Sequence, residues 1–221
     1  RSIWVTGVQT CALPISSPQT VFASVRKLPP ATAIEWRNNT LREFTYWKPT
    51  FARNGGADSY ETLKESLHSS LTAGVRAAHP DSHTGAFLSG GLDSSTVAGF
   101  LARAQTQPAR TFSIGFGFDD YDELQYARIA NQRFGCDPRE YVVTAEDISE
   151  LLPKVARAYD EPFGNASAIP TFCCARLATQ HGVTHLLAGD GGDEIFAGNK
   201  RYAEQKVFER YRLYGDRKSV V

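Results

Sequence analysis

From Thr84 to Gly189 the chain alternates short apolar runs with longer stretches of helical period. Gly85-Ala86-Phe87-Leu88, Arg110 to Phe116, Glu140-Tyr141-Val142-Val143 and Thr184 to Gly189 read as strands. Between them, helices are predicted over Ser95–Ala104, Asp122–Phe134, Asp147–Tyr159 and Ile169–His181. Leu124, Ala127, Ile129, Ala130 and Phe134 form the apolar set of the second helix. Ile148, Leu151, Leu152, Val155 and Ala156 form that of the third. A last helix is predicted from Glu194 or Tyr202 towards Tyr211. Strands alternating with helices predict an α/β fold, a parallel sheet covered by helices on both faces. In such sheets ligands bind beyond the carboxyl ends of the strands.

Upstream the pattern changes. Residues Thr20 to Trp47 read as β structure: a strand over Val21–Leu28 ending at Pro29-Pro30, then a hairpin. Ala33 to Arg37 alternates, Asn38-Asn39 turns, and Leu41 to Trp47 alternates again. Pro49, Gly55 and Gly56 mark a linker. Leu63, Leu67, Leu71 and Val75 place one apolar stripe on a helix from Ser59, its cap, to Ala78, with Pro80 closing it.

Two loops fall at predicted strand ends. The first is Ser89-Gly90-Gly91-Leu92-Asp93-Ser94. It offers backbone N–H groups at the start of a helix, where they lack internal partners and the dipole favours an anion. Ser89, Ser94 and Ser95 add hydroxyl donors, and no Lys follows the glycines, so this is not a Walker A loop. The plain alternative is a tight turn with Asp93 or Ser94 as N-cap. The second loop is Gly189-Asp190-Gly191-Gly192-Asp193-Glu194. Its acids can face a triphosphate only across a cation, and Mg²⁺ takes one or two carboxylates plus phosphate oxygens. The plain alternative here is a solvated acidic turn.

Composition narrows the class. The 221 residues are 42% hydrophobic, with 24 Lys and Arg against 24 Asp and Glu, which gives no basic footprint for nucleic acid. No run is long and apolar enough for a membrane span. Cys11, Cys136, Cys173 and Cys174 follow no metal-ligand spacing and are expected to be buried, reduced thiols of a cytoplasmic protein.

The first loop resembles the PP-loop of ATP pyrophosphatases, a motif shared with GMP, NAD and argininosuccinate synthetases. Together with Leu187 to Gly198, it resembles the glutamine-hydrolysing asparagine synthetase family. Asp160-Glu161-Pro162-Phe163, Ser167 to Thr171, and Phe112 to Phe116 followed by Tyr121-Asp122-Glu123 are similar to that family too. So is the upstream segment from Thr20-Val21-Phe22 and Arg26 to Pro30, ending at Tyr46-Trp47. The resemblance implies a HUP-like (adenine nucleotide alpha hydrolase-like) asparagine synthase domain over residues 59–215, incomplete at its C-terminus. Residues 17–48 would be the last strands of an Ntn glutamine amidotransferase domain, with 49–58 as linker.

The activity it implies is ATP-dependent amidation of aspartate to asparagine. Aspartate is adenylated to β-aspartyl-AMP, pyrophosphate leaves, and ammonia from glutamine displaces AMP. Leu88, Ser89, Gly90, Gly91, Asp93 and Ser94 would hold ATP and its pyrophosphate. Ser113, Ile114 and Gly115 would line adenine and ribose, and Gly189, Asp190 and Gly191 would complete the site. Asp93 and Asp193 would hold Mg²⁺, and Asp93 and Asp190 would stand at the reacting centre. Asp122 and Glu123 are further candidates. The implied partners are the small molecules aspartate, glutamine or ammonia, and ATP, without nucleic acid or membrane, and a homodimer for the full-length enzyme.

The departures carry expectations of their own. Many family members have Glu where Asp190 stands, which favours as an alternative an amidoligase for another carboxylate, such as a β-lactam-forming relative; a truncated chain could instead be a non-catalytic ATP-binding module. The family's N-terminal nucleophilic Cys has no counterpart, and its downstream Lys would lie beyond residue 215. Residues 1–16 and 216–221 resemble translated sequencing-adapter remnants, and the chain contains no Met. The expectation is an internal piece of a longer protein, without glutaminase activity and with little or no synthetase activity of its own.

Overall fold

The computed structural model describes residues 15, 17–50, 58–117, 123–161, 165, 167–196, 198, 204 and 207. The chain forms two compact units, Arg1–Ser66 with Ala145–Phe172, and Leu67–Thr144 with Cys173–Val221.

In the first unit, β1 (Thr32–Arg37) and β2 (Thr40–Thr45) form the expected antiparallel hairpin, with Arg37 opposite Thr40. Asn38 and Asn39 both have positive φ, 48° and 59°. That is the backbone a two-residue hairpin turn needs, and Asn tolerates it better than other residues with a side chain. Val21–Leu28 is not a strand. Thr20 Oγ1 accepts the Phe22 N–H (3.0 Å) and lies 2.8 Å from Val25 O, while Val25 N–H reaches Phe22 O. These local bonds take the backbone groups a ladder would have used. Lys27 pairs with Glu161 at 2.9 Å. Helix α4 (Ala145–Ala158) buries only Leu151 and Val155. Ile148, Leu152 and Ala156, expected to face inward, are exposed, so the buried stripe is one i, i+4 pair.

Helix α1 (Tyr60–Ala77) starts where predicted, with the Ser59 hydroxyl accepting the Thr62 N–H at 3.2 Å. Its stripe is not fully buried: Leu63 and Leu67 are exposed, while Val75 packs on the core of the second unit.

That second unit holds four parallel strands, β3 (Thr84–Phe87), β4 (Arg110–Gly115), β5 (Asp137–Val142) and β6 (His185–Leu187), ordered β5-β4-β3-β6. β5 starts earlier than its apolar run because Pro138 is harmless on an edge strand. β6 is shorter than the predicted Thr184–Gly189. Side-chain alternation sends Ala86, Leu88 and Leu187 to one face, against α2 (Leu92–Ala104) and α3 (Leu124–Phe134). It sends Phe87, Phe112, Ile114 and Leu186 to the other, against Cys174, Leu177 and Ala178 of α5 (Ala168–Gln180). Both faces are therefore covered, as a parallel sheet requires. Ile129, expected in the core, is 64% exposed on the outer side of α3. The chain runs β3, β4, β5 in one direction and places β6 on the far side of β3. The strand order thus reverses between β3 and β6, and open α/β sheets bind ligands beyond the carboxyl ends of strands at such a reversal.

Candidate functional site

Both glycine-rich loops meet at that reversal. After β3 the chain passes through Leu88, buried in the core, and turns at Gly90, whose φ is +91°. A Cβ at Gly90 would lie 2.5 Å from Tyr126 Cβ and 2.6 Å from Ala127 N, so the turn rests directly on the start of α3. Helix α2 begins at Leu92 with Gly91 as N-cap, and no side chain caps it. Asp93 and Ser94 therefore lie in the first turn rather than at the cap. Ser95 N–H bonds Gly91 O at 3.0 Å. Among the described residues the N–H groups of Gly90, Leu92, Asp93 and Ser94 have no acceptor. They form the orphan donor set expected at a helix start.

Ser89 and Ser94 spend their hydroxyls inside the loop. Ser94 Oγ accepts the Ser89 N–H at 3.2 Å, lies 3.0 Å from Ser89 Oγ, and donates to Gly91 O at 3.2 Å. Gly91 N–H in turn reaches Ser89 Oγ at 3.3 Å.

The second loop closes on Asp93. A Cβ at Gly189 would lie 2.8 Å from the Asp93 backbone carbon, and one at Gly192 would lie 2.5 Å from Asp93 Oδ2. Gly191 takes φ +87°, and Gly192 N–H bonds Gly189 O at 3.2 Å as the short helix α6 (Gly192–Phe196) begins. Gly192 was not singled out from the sequence, though it stands in the same glycine–acid run. Asp93 is half-buried, and among the described residues its carboxylate has no hydrogen-bond donor. Asp193, also half-buried, turns its carboxylate to Gly198, where a Cβ would meet Oδ1 at 2.5 Å. Asp190 is exposed. Neither the Asp93 nor the Asp193 carboxylate has a hydrogen-bond donor among the described residues, and carboxylates of this kind suit a hard cation shared with phosphate oxygens. No group of three or more His, Cys, Asp or Glu side chains suited to a metal occurs among the described residues.

The remaining predicted residues frame this junction. Ser113 is 2% exposed and its hydroxyl donates to Leu88 O at 2.7 Å, tying β4 to the base of the first loop. Ile114 packs with Phe112, Cys174 and Ala178 on the α5 face of the sheet, and Gly115 O accepts the Val143 N–H at 2.9 Å. Glu123 is the N-cap residue of α3 but makes no side-chain cap bond. Asp122, Pro162, Phe163 and residues 208–215 lie outside the described residues, as do Cys11 and most of the predicted last helix. Cys173 and Cys174 are buried and Cys136 is half-buried, and none of the three is joined in a disulfide. No described helix is long and apolar enough to cross a membrane.

Comparison with known proteins converges on one family. The asparagine synthase family profile matches residues 62–219. Asparagine synthetase (glutamine-hydrolyzing) 1 of Bacillus subtilis is 30% identical over 89% of this chain and 31% of its own length. A Methanocaldococcus jannaschii protein, provisionally named asparagine synthetase (glutamine-hydrolyzing) 2, is 35% identical over 83% of this chain and 36% of its own length. The chain thus spans about a third of the curated relatives it matches. Among solved structures, an NH3-dependent NAD synthetase from Campylobacter jejuni overlaps 56% of this chain and 50% of its own, at 15% identity and a TM-score of 0.34. With the profile covering most of the chain, this protein belongs to the asparagine synthase family.

Proposed function

We propose that this chain is the ATP-handling part of a glutamine-hydrolysing asparagine synthetase. The observation that carries the reading is the closure of Gly189 and Gly192 onto Asp93 beneath four orphan N–H groups, at the strand-order reversal. The reaction is amidation of aspartate through β-aspartyl-AMP. A carboxylate resists attack until one oxygen becomes part of a good leaving group, and transfer to the α-phosphate of ATP achieves this. The departing pyrophosphate gathers negative charge. The N–H groups of Gly90, Leu92, Asp93 and Ser94 are fixed before the reaction, so they stabilise that charge without reorganising. Asp93 and Asp193 would hold Mg²⁺, which supplies charge neutralisation on the phosphate oxygens. Leu88 and the backbone from Ser113 to Gly115 would border the adenosine. Asp190, exposed in the second loop, would face the acceptor carboxylate, and the amidotransferase portion of the longer protein would deliver ammonia from glutamine. Residues 17–48 fit the end of that portion, 49–58 a linker, and 59–215 an incomplete synthase domain.

Asp190, one methylene shorter than the family's usual Glu, favours a second reading: an amidoligase for a different carboxylate. One experiment addresses both. The full-length gene product is assayed for MgATP-dependent pyrophosphate release with aspartate and with a panel of other carboxylates, supplying ammonia directly. Release with aspartate alone supports the synthetase, release with another acid alone supports the relative, and no release with any acid defeats both. The 221-residue chain, titrated with MgATP in a calorimeter, separates nucleotide binding from turnover.

A further inference from the structure

We propose that His68 is a pH-sensitive clasp: as a neutral imidazole it holds the first half of helix α1 against α2, and on protonation it lets go.

Three contacts build the clasp. Arg103 Nη1 lies 2.9 Å from His68 Nε2. The His68 ring stands 4.9 Å from that of Phe100, tilted at 58°. The Arg103 guanidinium lies over the same Phe100 ring, 5.8 Å from its centre. Phe100 and Arg103 are neighbours on one side of α2, so imidazole, ring and guanidinium form one cluster. A guanidinium has only donors, so His68 Nε2 must accept, and the proton of the neutral ring sits on Nδ1. Protonation removes that accepting lone pair. It also sets a positive imidazolium beside a positive guanidinium. Histidine is the side chain whose charge changes between about pH 5 and 8.

The other charges around the cluster act in the same direction. From α3, Arg133 lines one cavity with Arg103, which adds positive charge on that side. On α1 itself, Lys64 pairs with Glu61 at 3.3 Å. Glu65, one turn before His68, is the acid at helical spacing to receive an imidazolium that has left Arg103. The clasp also lies at a joint. The first compact unit ends at Ser66 and the second begins at Leu67, inside α1. Two turns after His68, Val75 packs on the core of the second unit, and that apolar hold does not titrate. Acid therefore frees the first half of α1 and leaves the second half in place.

The test is amide exchange by NMR on the 221-residue chain at about pH 7.5 and about pH 5.5, within the histidine range. Each rate is divided by the intrinsic rate at that pH, for wild type, His68→Gln and Arg103→Gln. In wild type, protection of the α1 amides from Lys64 to Ser70 should fall about fivefold at the lower pH, as for loss of one hydrogen bond. The amides of Ala98 and Leu101, in the buried side of α2, should keep theirs. His68→Gln, whose carbonyl accepts from Arg103 at either pH, should abolish the fall. Arg103→Gln should abolish it too, since the amide donates to the neutral ring and accepts from the charged one. A fall that persists in His68→Gln would belong to another titrating group, and the proposal fails. It fails as well if Arg103→Gln shows the full fall, because Arg103 would then play no part. Equal wild-type protection at both pH values overturns it, and so does a loss shared by Ala98 and Leu101, which would be acid unfolding of the whole unit.

Discussion

Gly192 lies against the carboxylate of Asp93 so closely that a single added carbon would sit 2.5 Å from Oδ2. The two residues are 99 positions apart in sequence, one in each glycine-rich loop. Replacing Gly192 with Ala should therefore act on Asp93, turning its carboxylate away from the junction. Because Gly192 is half-exposed at the start of a five-residue helix, the fold should survive. We expect MgATP affinity to fall by about 10- to 100-fold, the range for groups that orient a metal ligand, with the far-UV circular dichroism unchanged. Wild-type affinity in Gly192→Ala would sever the link between this glycine and Asp93.

Gly90 is constrained twice, by φ +91° and by the backbone of Ala127 at 2.6 Å from where its Cβ would stand. Gly90→Ala should cost at least about 1–3 kcal/mol through strain, and more where α3 must shift. Urea denaturation measures this. A midpoint equal to wild type would show that the turn relaxes freely.

Ser113→Ala removes the only donor to Leu88 O among the described residues, in a fully buried setting. A buried carbonyl left without its partner costs about 1–3 kcal/mol. The denaturation midpoint should drop accordingly, without loss of secondary structure in the native state.

Asp190→Asn should separate binding from chemistry. The residue is exposed in the second loop, and among the described residues it makes no hydrogen bond to Asp93, Ser89 or Ser94. In the full-length enzyme, MgATP affinity should stay within about twofold while pyrophosphate release falls by at least tenfold, as for loss of a group acting mainly in the transition state. Equal loss of both would assign Asp190 to nucleotide binding.

Burial pushes the Cys174 thiol up to about 12, with neighbouring Cys173 adding to the shift. In the unfolded chain the thiol ionises near its ordinary value of 9.0. Above that pH the native state keeps a proton the unfolded state has lost. Stability should therefore fall as pH rises from about 9 towards 12. Chemical denaturation between those limits, compared with Cys174→Ala, should show a shallower pH dependence in the variant. At pH 8, alkylation of Cys174 should proceed no faster than opening of the fold, because the thiolate is the reactive form.

Much of the architecture was legible in the residues alone. Apolar runs of four to six residues separated by helical periods specify alternating strands and helices, and Asn38-Asn39 specifies a hairpin turn, because these signals are local. Glycine–acid and serine–glycine loops at strand ends likewise marked the two loops that the structure brings together. Burial was less legible. Ile129, Ile148 and Leu152 sit at helical spacing yet face outward, since periodicity names an apolar side without saying how wide a neighbour covers it. Val21–Leu28 has strand-like composition, but the Thr20 hydroxyl satisfied its backbone first.

The sequence by itself determined the element types, the α/β class, the family motifs and the chemistry available at two loops. Only the tertiary structure decided that β6 pairs with β3, and that this pairing brings Gly189 and Gly192 onto Asp93. It also decided that Ser89 and Ser94 bond each other before any ligand. Local pattern fixes what each segment prefers. Which distant segments touch depends on strand order and close packing, and those are properties of the whole sheet.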